Sequence, residues 1–137
     1  MVASPDYLQK RSLSIDEIAN AEKIATTGYT EGWAYWFEKN GYTAKFNKPS
    51  LQFDHSSLAI QSAMQGLGVL LVKDILVQAE LKQGRLLQVW QEKVPCLGGH
   101  YVICNTPQKA SAHQFIKWLK KQLATEENVI HTVEPYE

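Results

Sequence analysis

Two patterns of apolar positions alternate along the chain. Short apolar runs bounded by glycine, proline or polar loops predict strands, and apolar residues recurring every three or four positions predict helices. The stretch Phe53–Leu71, FDHSSLAIQSAMQGLGVLL, holds both. Phe53 closes an extended run, and Asp54, Ser56 and Ser57 each carry an oxygen suited to capping a helix start. Leu58, Ala59, Ala63 and Met64 follow at helical spacing. Gly66 and Gly68 predict a stop that needs a positive φ or a close backbone approach. Val69–Val72 is wholly apolar and β-branched at both ends, the pattern of a strand buried on both faces. Strand, helix and strand within about twenty residues make one unit of a parallel α/β sheet, which binds ligands where strands hand over to helix N-termini.

The remaining elements follow from the same patterns. MVAS at residues 1–4 predicts a first short strand that ends at Pro5. Ser14-Ile15-Asp16-Glu17 matches the capping box, so a helix of about two turns starts there, with Ile15, Ile18 and Ala19 as its apolar stripe. Lys23–Thr27 predicts a strand. In Gly28–Gly41, Thr30 is the expected N-cap, Trp33, Trp36 and Phe37 share one helix face, and Asn40-Gly41 is the stop. That face reads as core. The loop and first turn at Thr30, Glu31 and Trp33 are also candidates for lining a ligand cleft. Residues 42–50 are a polar loop before the strand Leu51–Phe53. Asp74–Leu81 predicts a short helix ending at Gly84, and Arg85–Trp90 and His100–Asn105 predict extended segments. The last helix is expected over Ala110–Leu123, its stripe made by Ala112, Phe115, Ile116, Leu119 and Leu123 against a wet face of lysines. Residues 125–137 carry no period and are expected to form a loose tail.

Composition narrows the function classes. The 137 residues fit one domain with a real core. Fourteen basic and fourteen acidic side chains cancel, which argues against a free-standing nucleic-acid binder. No apolar run reaches the roughly 20 residues of a membrane span, and no signal-peptide pattern opens the chain, so the cytoplasm is the expected compartment. Cys96 and Cys104 are expected to be reduced packing residues.

Candidate chemistry is sparse. Asp54, His55, Ser56 and Ser57 bring the residue types of a hydrolase triad into one tetrapeptide, but neighbouring side chains diverge and triads draw on separate elements. The four histidines form no i,i+4 pair and no Cys spacing accompanies them, so no metal site is expected. Gly66-Leu67-Gly68 precedes its strand, whereas a dinucleotide fingerprint follows one. No catalytic residue and no cofactor is predicted.

Seven segments in order resemble the effector-binding domain of LysR-type transcriptional regulators. They are ASPDYL at 3–8, SIDEIA at 14–19, GWAYWFEKNG at 32–41, FDHSSLAIQSAMQGLGVLLV at 53–72, ELKQGRL at 80–86, HYVIC at 100–104 and QFIKWLKKQL at 114–123. The W-x-x-W-F segment and the centre are similar to the branch that holds the glycine-cleavage activator. The resemblance implies an α/β fold, one lobe of a type 2 periplasmic-binding-protein-like architecture, with a mixed, mostly parallel sheet flanked by helices. It implies a partial effector-binding domain over 1–124: lobe two at about 1–99, then a return strand and C-terminal helix at about 100–124. The helix-turn-helix and most of lobe one are then expected to be missing, and direct DNA binding by these residues with them.

The resemblance also implies a non-catalytic regulatory module with a small anionic effector of unknown identity. Thr30, Glu31, Trp33, Asp54, Ser56, Ser57 and Tyr101 are the expected effector-binding residues. Without lobe one, the stripe of Phe115, Ile116 and Leu119 is expected to be buried in a homodimer or against a full-length regulator. The alternatives are an interaction module that modulates full-length regulators without a ligand, and a solute-binding lobe.

Overall fold

A computed structural model describes residues 1–98, 101–105, 109–123 and 131–133, in two units, Met1–Pro95 and Cys96–Glu137. In the first unit the apolar runs become the strands of one sheet: β1 (Val2–Ala3), β2 (Lys23–Thr26), β3 (Leu51–Phe53), β4 (Val69–Leu70) and β5 (Leu87–Gln88). Their order is β3-β2-β4-β1-β5. β2 runs parallel to β3 and β4, while β1 is antiparallel to β4 and β5, so four strands point one way and β1 the other. This is the mixed, mostly parallel sheet that the family resemblance implies.

Side-chain alternation along these strands divides the core into two faces. On one face Val2, Ile24 and Leu70 pack with Ala59, Ala63, Val77 and Leu86. Ala59 and Ala63 belong to α4 (Ser56–Met64), and their small side chains let that helix lie close to the sheet. On the other face Ala3 and Val69 pack with Leu8 of α1 (Pro5–Leu8), with Ile18 and Ala19 of α2 (Ile15–Asn20), and with Trp33, Trp36 and Phe37 of α3 (Trp33–Lys39). Phe37 stacks on Phe46 at 4.4 Å and meets Trp36 edge-on at 5.0 Å.

The capping box forms as predicted. Glu17 N–H donates to Ser14 Oγ at 3.3 Å and Ser14 N–H donates to Glu17 Oε2 at 2.8 Å. Gly68 shows why that position admits no side chain: φ is +154° and a Cβ would lie 2.5 Å from the Glu22 carbonyl oxygen. That same carbonyl accepts the Val69 N–H at 2.8 Å and ties β4 to the start of β2.

Several local expectations are corrected. Pro5 does not simply end the first strand; it opens α1, capped by the Ser4 hydroxyl, because proline suits the first helical position. The cap of α3 is Gly32 rather than Thr30, with no side-chain bond. The helix expected over 74–81 divides into a 3-10 turn at Asp74–Leu76 and α5 (Gln78–Lys82), and β4 covers Val69–Leu70 alone.

The second unit holds β6 (Tyr101–Ile103), α6 (Ala110–Leu123) and β7 (His131–Val133). β7 runs parallel to β6, Val102 facing Thr132. Part of the expected loose tail is therefore a strand, since an edge strand offers unpaired N–H and C=O groups and Thr132 and Val133 are β-branched. The rest of residues 125–137 lies outside the described residues.

Candidate functional site

The parallel strands β3, β2 and β4 end on one edge of the sheet, and each delivers polar residues there. After β2 the chain continues Thr27-Gly28-Tyr29, after β3 it enters α4 through Asp54 and His55, and beyond β4 it reaches Lys73. Thr27 is clamped to β3, its N–H donating to the Phe53 carbonyl at 2.8 Å and its hydroxyl donating to the same oxygen at 3.3 Å. Gly28, at φ +85°, turns the chain there. Tyr29 then lies with its hydroxyl 2.8 Å from Ser56 Oγ. The Lys73 ammonium sits over the Tyr29 ring, 5.2 Å from its centroid.

The first turn of α4 lacks the usual complement of a helix start. His55 occupies the cap position without a side-chain hydrogen bond, and no acidic residue follows in the first turn. By contrast, Ser4 and Ser14 cap α1 and α2, with Asp6, Asp16 and Glu17 in their first turns. The partial positive charge at the start of α4 is thus unopposed by its own turn. On β2, Thr26 shares its face of the sheet with Ile24, the face that α4 covers. Its Oγ1 is buried and has no hydrogen-bond partner among the described residues.

The sequence-predicted site residues separate into three groups. Ser56 joins the Tyr29 pair, and Ser57 stands exposed in the same turn. Asp54 is exposed, 3.9 Å from the His55 Nε2, and Thr30 and Glu31 lie in the loop after Tyr29, exposed and half-buried respectively. Trp33 is core: it is buried and its indole N–H donates to the Ile24 carbonyl at 3.0 Å, which leaves no polar group for a cleft. Tyr101 is an exposed residue of the second unit. Sequence patterns missed Thr26, Tyr29 and Lys73. Their only signal was position, just at or beyond the ends of predicted strands.

Ser56 pairs with Tyr29 rather than with His55, so the Asp-His-Ser tetrapeptide makes no relay. Among the described residues no three His, Cys, Asp or Glu side chains group as a metal site, and no helix is long and apolar enough to cross a membrane. A separate surface groove of about 480 Å³ runs along β5 and the α1–α2 connection. Leu8, Leu13 and Trp90 line it with Lys10, Arg11 and Glu92, so opposite charges share its wall. In the second unit, Phe115 and Trp118 of α6 are exposed with ring centroids 5.8 Å apart, whereas Ile116 and Leu119 are half-buried.

A mixed, mostly parallel sheet flanked by helices, with hydroxyls and an uncapped helix start at its strand ends, is the α/β class of fold that binds ligands at strand ends. The model of the LysR substrate binding domain matches residues 1–124, and the chain belongs to that family. It is 33% identical over 99 residues to the HTH-type transcriptional regulator PerR of Escherichia coli K12, covering 71% of this chain and 32% of that protein. It is 27% identical over 77 residues to the glycine cleavage system transcriptional activator of the same organism, covering 55% of this chain and 25% of that one. The AmpR effector binding domain of Citrobacter freundii shares the fold, with a TM-score of 0.65 at 18% identity, over 88% of this chain and 60% of that one. The chain spans about a third of the length of the first curated relatives it matches.

Proposed function

We propose that these residues are a non-catalytic, cytoplasmic sensing module that takes a small anionic effector at the start of α4. The reading is carried by the first turn of α4, which has neither side-chain cap nor acidic residue and lies beside the Tyr29–Ser56 pair. Backbone N–H groups and hydroxyls in that arrangement suit an oxyanion. Ser56 and Ser57 are its centre and Thr30, Glu31 and Asp54 its rim, while Tyr101 belongs to the second unit and is not assigned to it. Trp33 supports the site from the core. We assign lobe two to residues 1–99, with the return strand and last helix at 100–124. No direct DNA contact is assigned to these residues.

Thermal-shift measurements with small carboxylates, amino acids and aromatic acids test the proposal. A saturable rise in melting temperature that Ser57→Ala removes supports it, and silence across the whole set refutes it.

The exposed Phe115–Trp118 pair favours a second role on a different surface. In that reading α6 pairs with a second copy or with a full-length regulator, burying Phe115, Ile116 and Leu119 together with Trp118. Light scattering at micromolar concentration is expected to give twice the mass of one chain. A monomer there overturns self-pairing.

A further inference from the structure

We propose that the open edge of β5 and the groove beside it take a short extended peptide segment that carries a side-chain carboxylate. This surface lies within Met1–Pro95 and does not involve the start of α4.

β5 is the last strand of its sheet and pairs only with β1. Ala3 faces Leu87, and the Val89 N–H donates to the Met1 carbonyl at 3.1 Å. The alternation of an antiparallel pair therefore turns the Gln88 N–H and C=O away from β1. Groups of this kind are a template for one more strand. Here the template is short. On one side of it the Leu86 N–H is taken by the Glu80 carbonyl at 3.3 Å. On the other, the Gln88 side-chain amide donates to the Trp90 carbonyl at 2.9 Å and the Gln91 carbonyl at 3.2 Å. One residue pair, at Gln88, is what the edge can offer. That suits a segment of a few residues, whereas a second copy would bring the same occupied carbonyls to the junction.

The groove supplies the remaining contacts. Its volume of about 480 Å³ lies within the roughly 300–1,000 Å³ of ligand sites. Leu8, Leu13, Val89 and Trp90 give it an apolar lining. Trp90 is held in place, its indole N–H donating to Asn40 Oδ1 at 3.1 Å and its ring edge-on to Trp36 at 5.5 Å. The wall is thus preformed. Charge then picks the occupant. Lys10 and Arg11 line the groove on the α1–α2 connection, against Glu92 on the chain beyond β5. Among the described residues Lys10 makes no ion pair, and Arg11 meets Glu17 at 3.9 Å with both side chains exposed. Lys10 is also strained: it follows Gln9 into the left-handed region, with φ of 62° and 47° respectively. Gln9 closes α1, a position where that conformation is usual. Lys10 has no such reason, and glycine would make the same turn without strain. Keeping a lysine there places a free cation on the groove, where an acidic side chain of a bound strand would meet it.

The full 137-residue chain, ¹⁵N-labelled, is titrated with the peptides acetyl-TVEVT-amide and acetyl-TVKVT-amide. The acidic peptide is expected to move the Gln88 amide and Trp90 indole signals saturably, and the basic one to bind about fivefold more weakly. Lys10→Glu with Arg11→Glu is expected to invert that preference, and both side chains are exposed, so the fold is kept. Gln88→Pro removes the outward N–H at an edge position that tolerates proline, and is expected to abolish the response in a protein that melts like wild type. No saturable movement of those signals by the acidic peptide overturns the proposal, and so does an equal response to the two peptides. A dimer that Gln88→Pro converts to a monomer gives the edge to a second copy and overturns it too.

Discussion

Lys23 offers a sharp test of what holds the sheet to its helices. It is fully buried at the start of β2, and its ammonium donates to the carbonyls of Ala19 at 2.7 Å and Ala21 at 3.0 Å. Those carbonyls close α2, where a cation suits the helix dipole. The Trp33 and Phe37 ring centroids lie 5.8 and 5.9 Å away. Two charge-assisted hydrogen bonds contribute about 1.5–3 kcal/mol each, and each ring contact about 1 kcal/mol. Desolvating the ammonium costs several kcal/mol, which offsets most of that gain. Lys23→Met keeps the apolar stem and removes both sides of the balance. Little is orphaned, because the Ala19 oxygen still accepts the Asn47 N–H at 2.9 Å and the bond to Ala21 is only part-buried. Lys23→Met is therefore expected within about 1 kcal/mol of wild type at neutral pH, while Lys23→Ala loses about 3 kcal/mol to the cavity beside the rings. Urea unfolding followed by tryptophan fluorescence measures both.

The same residue sets a pH signature. Burial holds its pKa below the ordinary 10.5, with the Glu22 charge pulling it partly back. As pH rises toward 10.5 the folded protein releases this proton before the unfolded chain does. The unfolded state then binds more protons, so stability rises with pH and levels off above that value. Tyr7 and Tyr42, both raised, have the opposite effect above pH 10.0, but they are common to both proteins and cancel in the difference. Wild type is expected to gain on Lys23→Met as pH approaches 10.5. If Lys23→Met is as damaging as Lys23→Ala, and the difference does not change with pH, the balance above is wrong.

Two further substitutions test the frame around the site. Gly68→Ala puts a Cβ 2.5 Å from the Glu22 oxygen at φ +154° and disturbs the bond from Val69. It is expected to cost about 3 kcal/mol and to lower the melting temperature by roughly 10 °C in a thermal scan. Ser14→Ala removes the acceptor for the Glu17 N–H and is expected to cost about 1 kcal/mol in chemical unfolding. No loss there would mean that α2 is held by packing alone.

What was legible in the sequence was what local chemistry decides. The capping box at Ser14 and Glu17 and the left-handed turn at Gly66 depend on residues a few positions apart and take their expected form, whereas α4 buries Ala59 and Ala63 of its expected stripe but leaves Leu58 exposed. The site was half legible. Ser56 and Ser57 mark a helix start within one segment, but Tyr29 reaches Ser56, and Lys73 reaches Tyr29, only because β2 lies between β3 and β4. Strand order is decided by tertiary packing, and no spacing along the chain reveals it. Trp33 shows the converse: its position at the first turn of α3 suited a cleft wall, yet the bond from its indole N–H to Ile24 anchors it inside.

The start of α4 has the means to cap itself and does not use them. Asp54, Ser56 and Ser57 all bear suitable oxygens, yet none makes the cap bond; the Ser56 hydroxyl pairs with Tyr29 across the sheet edge instead. A missing cap costs about 1 kcal/mol, and α1 and α2 of the same chain avoid that cost with Ser4 and Ser14. A helix kept only for packing gains nothing by leaving its N–H groups open, since Ala59 and Ala63 bury equally well under a capped first turn. Departures of this kind, where local rules are broken without a local return, concentrate at functional positions. Here the departure lies at the ends of the parallel strands, the place where α/β folds bind ligands. Two more departures stand on the same sheet edge: among the described residues Lys73 has no carboxylate partner and the buried Thr26 hydroxyl has no hydrogen-bond partner. The anion proposed for this helix start would take up the N–H groups that the first turn leaves open.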